Sequence, residues 1–175
     1  MRKVTFGGAN SLDNFFARED DGIDWLMWSD EANAVMKDFW ARIDTIVMGR
    51  KTYEAGLKYS KGKNPYKGIK TYVFSSTLPA SKEDSLEIVS SDAVEFVRGL
   101  KEQEGKEICV MGGGLFAKSL FEADLIDEIG FNVHPVLLGS GIPLFHRMSR
   151  QMDLELLECR PFKNGCVYLS YRVRH

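Results

Sequence analysis

Ile46-Val47-Met48-Gly49-Arg50-Lys51-Thr52-Tyr53-Glu54 is the stretch that decides the fold. Its β-branched, apolar beginning, with Thr45 before it, predicts a short buried strand over residues 45–48 that ends at Gly49. A helix is predicted to follow over residues 52–57. At such a junction a glycine lets the backbone approach a phosphate closely, and the helix presents free N–H groups and the positive end of its dipole. The stretch therefore predicts an α/β unit that can bind an anion at its turn.

A second junction of the same kind lies later in the chain. A strand is predicted over residues 108–111. It is followed by Gly112, Gly113 and Gly114, and then by a predicted helix over residues 115–121. Two such junctions could hold one dinucleotide. A glycine between a strand and a helix is often only turn chemistry, so either junction alone favours a structural role. The glycine run also lacks the G-x-G-x-x-G spacing of doubly wound dehydrogenases, which disfavours that fold.

The remaining segments continue the alternation of strands and helices. The clearest helical pattern runs from Ala32 to Ile43, with Ser29 or Asp30 as N-cap, and a further helix is predicted over residues 93–101 with Asp92 and Glu95 at capping spacing. Strands are predicted over residues 4–9, 71–74 and 128–133, and a hairpin joins residues 154–159 to 167–173 around Asn164-Gly165. This order predicts one α/β domain over residues 1–175, with a largely parallel sheet, helices on both faces and an antiparallel C-terminal edge.

The composition limits what the protein can bind. With 44% hydrophobic and 27% charged residues, the 175-residue chain has the composition of a folded globular domain. A formal net charge of -2 gives no general attraction to nucleic acid or to a membrane surface, so neither is expected as a partner. The N-terminal residues lack a secretory signal and no apolar run would span a membrane, which favours a cytoplasmic location. The cysteines and histidines show no disulfide or metal-ligand spacing, so no metal site is expected and all three thiols are expected to be reduced and buried.

Several motifs, taken in order, resemble the dihydrofolate reductase superfamily. The paired cofactor motifs of dihydrofolate reductases resemble the stretch around Gly49 together with the segment Val73-Phe74-Ser75-Ser76-Thr77-Leu78-Pro79. The opening segment of that family resembles Ser11-Leu12-Asp13-Asn14-Phe15-Phe16-Ala17. Three further segments look most like the branch of the riboflavin-biosynthesis reductase (RibD C-terminal-like). They are Met111-Gly112-Gly113-Gly114, Leu125-Ile126-Asp127-Glu128 and the run from Pro135 to Phe145. The resemblance spans nearly the whole chain. It implies a three-layer α/β/α fold with a mixed, mostly parallel central sheet.

This resemblance implies NADPH as the cofactor and assigns residues to it. At the Gly49 turn, Arg50, Lys51 and Thr52 would contact the adenosine 2′-phosphate and the pyrophosphate. Ser75 and Ser76 would support the adenosine end, while Ala9 and Phe16 would flank the nicotinamide. The glycine run Gly112, Gly113 and Gly114 would let the pyrophosphate lie against the backbone.

On the substrate side, the sequence leaves the proton donor open. Dihydrofolate reductases carry a carboxylate at the start of the helix before the M-G-R motif, and ungapped counting back from Gly49 puts Asn33 at that position. A small insertion would instead bring Asp30 or Glu31 into place, and the helical step favours Glu31, which lies at an edge of the apolar stripe. An amide cannot supply a proton, so Asn33 at that position would count against folate as the substrate.

These features predict an NADPH-dependent oxidoreductase that transfers hydride to a pterin or pyrimidine-type heterocycle. The activity would resemble that of dihydrofolate reductase or of 5-amino-6-(5-phosphoribosylamino)uracil reductase. A ribosyl-phosphate substrate would need cations, and a mobile basic loop predicted over residues 56–69 offers Lys58, Lys61, Lys63 and Lys67. Two alternatives stay open: a non-catalytic NADP(H)-binding or sensing protein, and an interaction module without a ligand. A homodimer is a further expectation, because reductases of the riboflavin branch form one.

Overall fold

The computed structural model describes residues 1–175 as ten strands and four helices. The strands are β1 (Val4–Ser11), β2 (Phe15–Ala17), β3 (Ile43–Gly49), β4 (Lys70–Phe74), β5 (Leu86–Val89), β6 (Glu107–Met111), β7 (Glu128–His134), β8 (Ile142–Pro143), β9 (Leu154–Pro161) and β10 (Val167–Val173). The helices are α1 (Asp30–Arg42), α2 (Arg50–Tyr59), α3 (Ala93–Glu102) and α4 (Gly114–Glu122). None of the helices combines the length and the apolar character that a membrane crossing requires.

Eight of the strands form one mixed sheet in the order β5-β4-β3-β6-β1-β7-β10-β9. Neighbouring strands from β5 to β7 are parallel to each other, as expected for strands joined by crossover connections. β10 runs antiparallel to both β7 and β9, and β9 and β10 form the predicted C-terminal hairpin. A separate two-stranded ladder joins β2 to β8. The predicted mostly parallel sheet with an antiparallel edge is therefore confirmed.

Helices cover both faces of this sheet and complete the predicted three layers. On one face, α3 and α4 bury Val97 and Leu120 in the largest core cluster. On the other face, Phe39 and Trp40 of α1 and Tyr53 of α2 pack against a second cluster, to which β3, β4 and β6 contribute. Each helix thus removes one apolar stripe from water against the sheet, which is the main source of stability in such a fold.

The helix N-termini are of two kinds. Ser29 caps α1 by accepting a hydrogen bond from the backbone N–H of Ala32 at 3.1 Å, and Asp92 caps α3 in the same way at 3.0 Å. α2 and α4 instead begin after Gly49 and Gly113, which offer no side-chain cap. Because the first N–H groups of a helix have no partner within the helix, those of α2 and α4 are available to an anion.

Three local features differ from the sequence-based expectation. α2 starts at Arg50 and continues to Tyr59, so the first residues of the predicted basic loop are helical. The strands β2, β5 and β8 are not predicted, because segments of two to four residues are too short to show a period. Cys109 and Cys166 are buried free thiols, but the prediction of burial is wrong for Cys159, which is exposed on the edge strand β9.

Candidate functional site

The carboxyl ends of four adjacent parallel strands form a continuous row along one edge of the sheet. The strands follow one another in the order β4, β3, β6, β1, and the register pairs near their ends include Phe74 with Gly49 and Met111 with Gly7. Ligands of open parallel sheets bind outside such ends. A polar cavity lies at the β4 end of the row and an apolar cavity at the β1 end, with the uncapped helices α2 and α4 following the two strands between them.

The polar cavity has a volume of about 410 Å³. Its lining consists of Arg50, the hydroxyl side chains of Ser75, Ser76, Thr77, Ser90 and Ser91, and the apolar residues Phe74, Val89, Ala93 and Phe116. The guanidinium of Arg50 lies 3.2 Å from the Glu54 carboxylate, one turn further along α2. A guanidinium and several hydroxyls are the hydrogen-bond donors that suit a phosphate and a sugar. The structure thus brings Arg50, Ser75 and Ser76 together, whereas Lys51 is exposed outside the cavity.

Thr52 and the glycine run meet between the two cavities. Gly112 and Gly113 have φ angles of +58° and +57°, a left-handed conformation that glycine adopts at little cost. A Cβ on Gly112 would lie 2.5 Å from Thr52 Cγ2, and a Cβ on Gly114 would lie 2.5 Å from the backbone oxygen of Leu144. Backbone conformation and close packing therefore both require glycine in this run.

The apolar cavity has a volume of about 190 Å³ and lies between α1 and the sheet. Of its 18 lining residues 13 are hydrophobic, and the other five are Gly7, Gly8, Gly130, Asn132 and His134. The hydrophobic lining consists of Ala32, Val35, Met36, Phe39 and Trp40 from α1, together with Ala9, Leu26, Met27, Trp28, Cys109, Met111, Phe162 and Tyr168. Burial raises the pKa of the Cys109 thiol to about 12, so this group stays protonated. A lining of this kind, with few polar groups, is typical of a small-molecule site.

His134 is the buried polar anchor of the apolar cavity. Its Nδ1 accepts a hydrogen bond from the backbone N–H of Met27 at 3.1 Å, and Cys166 Sγ lies 3.4 Å from the same nitrogen. The Trp25 ring meets the imidazole edge-on, with ring centroids 5.3 Å apart. Burial lowers the pKa of His134, because these surroundings disfavour the charged imidazolium. His134 is therefore neutral at neutral pH and brings no charge to the cavity.

Neither Glu31 nor Asn33, the two candidates for the position of the family's carboxylate, lines this cavity. Glu31 Oε1 accepts a hydrogen bond from the backbone N–H of Lys163 at 3.4 Å, and the Asn33 side chain is exposed. Ala32, the residue between them, lines the cavity instead. Successive helix positions are rotated by about 100°, so the two neighbours of Ala32 lie on either side of the cavity-facing direction. Glu31 and Asn33, which the sequence analysis expects to face a substrate, therefore both lie outside the lining of the apolar cavity.

The two residues predicted to flank the nicotinamide are placed differently from each other. Ala9 lines the apolar cavity. Phe16 does not line it, and is a partly buried residue that packs against the main core with its ring centroid 6.0 Å from that of Phe6 and 6.5 Å from that of Phe131. The four lysines of the predicted basic loop are exposed, and none lines either cavity: Lys58, Lys61, Lys63 and Lys67.

Asn132, His134 and Tyr168 are cavity residues that the sequence reasoning does not single out. Each is an isolated polar residue on a strand and belongs to no motif. The sequence carries one indication of Asn132 and His134. Together with Gly130 they occupy alternate positions along β7 and so share one face of a central strand. Polar residues on the inner face of such a strand are uncommon and point to a site.

Comparison with known proteins identifies both the family and the fold. The model of the RibD C-terminal domain family matches residues 2–168. The chain is 35% identical over 171 residues to the uncharacterized protein YwjB of Bacillus subtilis (strain 168), with 97% of each chain covered.

Two solved structures share the architecture. The crystal structure of a putative riboflavin biosynthesis protein from Shewanella sp. PV-4 superposes with a TM-score of 0.86 at 24% identity and covers 100% of both chains. Dihydrofolate reductase from Enterococcus faecalis, complexed with NADP(H) and RAB-propyl, superposes with a TM-score of 0.70 at 19% identity, covering 99% of this chain and 97% of that one. These superpositions confirm the dihydrofolate reductase-like fold, and the family match over residues 2–168 shows that the chain belongs to the RibD C-terminal domain family.

Proposed function

We propose that the protein is an NADPH-dependent reductase that transfers hydride to a planar heterocycle of the pterin or pyrimidine type. One observation carries the proposal: the row of strand ends runs from a hydroxyl-rich cavity, past two uncapped helix N-termini, to an apolar cavity. A dinucleotide has the same order of parts, namely a polar adenosine end, a pyrophosphate and an aromatic nicotinamide. Membership of the RibD C-terminal domain family supports the same reading.

The residues along the row fit NADPH part by part. Arg50 would give charge-assisted hydrogen bonds to the 2′-phosphate, and Ser75 and Ser76 would support the adenosine. The pyrophosphate would lie against the N-termini of α2 and α4, beside Thr52 and the glycine run. The nicotinamide would lie at Ala9, at the edge of the apolar cavity. NADPH supplies the hydride when it is bound, and the task of this chain is to position the two rings.

Reduction of a C=N bond also requires a proton, and the lining of the apolar cavity is neutral. The Glu31 carboxylate is directed to the Lys163 amide, and His134 is uncharged. Water is the donor that this arrangement favours, because it can enter at the mouth beside the half-exposed Met27 and the exposed Trp28.

A second candidate is a non-catalytic NADP(H)-binding or sensing protein. The observation that favours it is that neither Glu31 nor Asn33 lines the apolar cavity. Such a protein would keep the polar cavity and the glycine turns, and would bind NADPH without oxidising it.

A titration followed by a turnover assay tests both candidates. The protein is titrated with NADPH and NADH by calorimetry, and the absorbance of NADPH is then followed in the presence of a panel of pterins and pyrimidines. We expect NADPH to bind more tightly than NADH and to be oxidised with at least one member of the panel. Binding without oxidation by any member would favour the second candidate, and absence of NADPH binding would contradict both.

A further inference from the structure

Residues 11–17 and residues 136–144, which belong to two of the segments that resemble the family, are paired in the structure. The N–H of Leu144 donates to the backbone oxygen of Asn14 at 2.8 Å, and β2 pairs with β8. More than a hundred residues of chain separate these paired segments, and neither has a role in the proposed function apart from the structural contacts between them.

The carboxylate of Asp13 joins the paired segments. Its Oδ2 accepts a hydrogen bond from the backbone N–H of Gly139 at 2.8 Å, and its Oδ1 accepts one from the N–H of Leu138 at 3.1 Å. Ser11 Oγ donates to the same Oδ1 at 2.6 Å. These hydrogen bonds, chiefly the one from Ser11, lower the pKa of Asp13, so the carboxylate is ionised at neutral pH. Because hydrogen bonds to an ionised acceptor are stronger than those between neutral groups, Asp13 fixes the loop between β7 and β8.

This loop leads directly to the first residue of α4. A Cβ on Gly141 would lie 2.2 Å from the backbone oxygen of Ala17, so the end of the loop is in close backbone contact with β2. Further along the chain, the carbonyl oxygens of Pro143 and Leu144 lie 3.0 and 2.5 Å from the position of a Cβ on Gly114. Backbone therefore meets backbone at both contacts, and a shift of β8 would displace the N-terminus of α4.

The N-terminus of α4 is one of the two that are available to an anion. It follows Gly113 without a side-chain cap, and its first turn, residues 114–117, carries no charged side chain. An anion would bind there through backbone N–H groups alone. Binding groups have to be held within roughly 0.5 Å of their place by the packing and hydrogen bonds around them. The contacts behind α4 therefore matter for its affinity.

We infer that Asp13 is a positioning residue for cofactor binding: through the loop between β7 and β8 it holds the N-terminus of α4 in the place where the pyrophosphate binds. The inference rests on the proposed function, because it takes this N-terminus as part of the pyrophosphate site. Asp13 lines neither cavity, so it acts through the backbone of α4 and not by touching the ligand. Loss of its carboxylate weakens ligands that carry the pyrophosphate and spares those that occupy only the polar cavity.

Two ligands distinguish positioning from a general loss of structure. The parent and Asp13→Ala are titrated by calorimetry with NADPH and with adenosine 2′-monophosphate, which has the polar end of the cofactor and no pyrophosphate. We expect NADPH to bind Asp13→Ala at least about tenfold more weakly, with the affinity for adenosine 2′-monophosphate unchanged. Equal losses for the two ligands, or the parent's NADPH affinity in the folded variant, would overturn the inference.

Further variants keep the test valid if Asp13→Ala does not fold. Asp13→Asn keeps the shape of the side chain and should show a smaller loss with the same selectivity. Gly141→Ala disturbs the same loop and should also weaken NADPH selectively, with Gly99→Ala as its control because a Cβ there meets no atom within 4 Å. Asp44→Asn is the control for Asp13→Asn, since Asp44 also accepts a backbone N–H, that of Lys106 at 2.7 Å, but lies at the opposite edge of the sheet. It should not change the ratio of the two affinities.

Amide hydrogen exchange without any ligand tests the mechanical link itself. The N–H of Ala117 closes the first turn of α4 on the Gly113 oxygen at 3.0 Å. In Asp13→Asn this amide should exchange faster than in the parent, together with the amides of residues 136–144. Faster exchange in the loop alone, with Ala117 as protected as in the parent, would overturn the inference.

Failure of this inference and failure of the proposed function give different results. If Asp13→Ala loses NADPH affinity selectively but no heterocycle oxidises the cofactor in the parent, the reductase activity fails and the inference stands. If the Asp13 variants bind and oxidise NADPH as the parent does, the reductase activity stands and the inference fails. A parent protein that does not bind NADPH would overturn both.

Discussion

Thr52 on α2 occupies the space that a side chain on Gly112 would need. A Cβ on Gly112 would lie 2.5 Å from Thr52 Cγ2 and 2.8 Å from Thr52 Oγ1, and the φ of this glycine is +58°. The contact joins the turn after β3 to the turn after β6, which are the two turns assigned to the pyrophosphate in the proposed function. The fit between these two residues therefore sets the distance between the two helix N-termini.

Gly112→Ala should destabilise the fold by about 1–3 kcal/mol and weaken NADPH binding, because it adds a close contact and backbone strain. Thr52→Ala removes both of the nearest atoms, so the double variant should recover part of the loss. Denaturant unfolding of the parent, both single variants and the double variant measures this coupling. Gly99→Ala is the control, and a Gly112→Ala protein as stable as the parent would contradict the close fit.

Arg50 should discriminate NADPH from NADH. In the proposed function Arg50 gives charge-assisted hydrogen bonds to the 2′-phosphate, so with Arg50→Ala we expect NADPH to bind roughly ten- to a hundredfold more weakly while NADH affinity changes little. Calorimetric titration with both cofactors measures the difference. Equal losses for the two cofactors would refute the assigned role.

Glu54→Gln is the matched control for Arg50, with an expected effect of opposite sign. In the ligand-free protein the Glu54 carboxylate lies 3.2 Å from Arg50 Nη1 and competes with any phosphate for it. Loss of this exposed pair should strengthen NADPH binding by about twofold, because such pairs are weak. Weaker NADPH binding in Glu54→Gln would show that the carboxylate orients the guanidinium rather than competing for it.

Elements with a strong local pattern could be predicted from the sequence. α1 shows its apolar stripe and the Ser29 cap, α3 shows the Asp92 cap, and β3 shows its β-branched run. β5 and the β2–β8 pair could not be predicted, because such short strands are stabilised by their neighbours rather than by their own pattern. The sequence predicts the start of α2 two residues later than Arg50, because no capping side chain marks it.

The sequence predicts the residues on the cofactor side of the candidate site better than those on the substrate side. Arg50, Ser75 and Ser76 share a cavity because they follow adjacent parallel strands, so the order of motifs carries spatial information. The direction of the Glu31 side chain changes with each single residue step along α1, and counting back from Gly49 does not fix that step. The tautomer of His134 depends on the hydrogen bond from the Met27 N–H, more than a hundred residues earlier, and no local sequence pattern indicates that contact.

His134 should make stability depend on pH just below neutrality. Burial lowers its pKa in the folded protein below the ordinary value of 6.5. Between the two pKa values the unfolded chain binds more protons than the folded one, so the free energy of unfolding should fall as the pH drops through about 6.5 toward the folded pKa. Denaturant unfolding at a series of pH values measures this loss.

His134→Gln should flatten that pH dependence, because glutamine does not titrate. The lowered pKa of Asp44 lies below 3.8, so its contribution is lost only at a lower pH and does not overlap with this range. The same slope near pH 6 in His134→Gln and in the parent would show that another group is responsible.

Glu31→Gln should leave turnover of an accepted heterocycle within about twofold, because the Glu31 carboxylate binds the Lys163 amide instead of lining the cavity. A general acid would show a loss of about 10²–10⁴ fold on the same substitution. Steady-state kinetics at saturating NADPH distinguish the two outcomes. A loss of the larger size, with NADPH affinity unchanged, would return Glu31 to the role of proton donor.

β1 pairs with strands that follow it by more than a hundred residues, as the partners Val4 with Ile108 and Thr5 with Glu128 show. During translation, Val4 and Phe6, which are fully buried in the finished sheet, must therefore wait without partners until β6 and β7 have left the ribosome. Pairings this distant along the chain slow folding and leave apolar segments open to contact with other chains. The nascent protein should accordingly depend on chaperones until β7 emerges, and chains that stop before Glu128 should accumulate as aggregates.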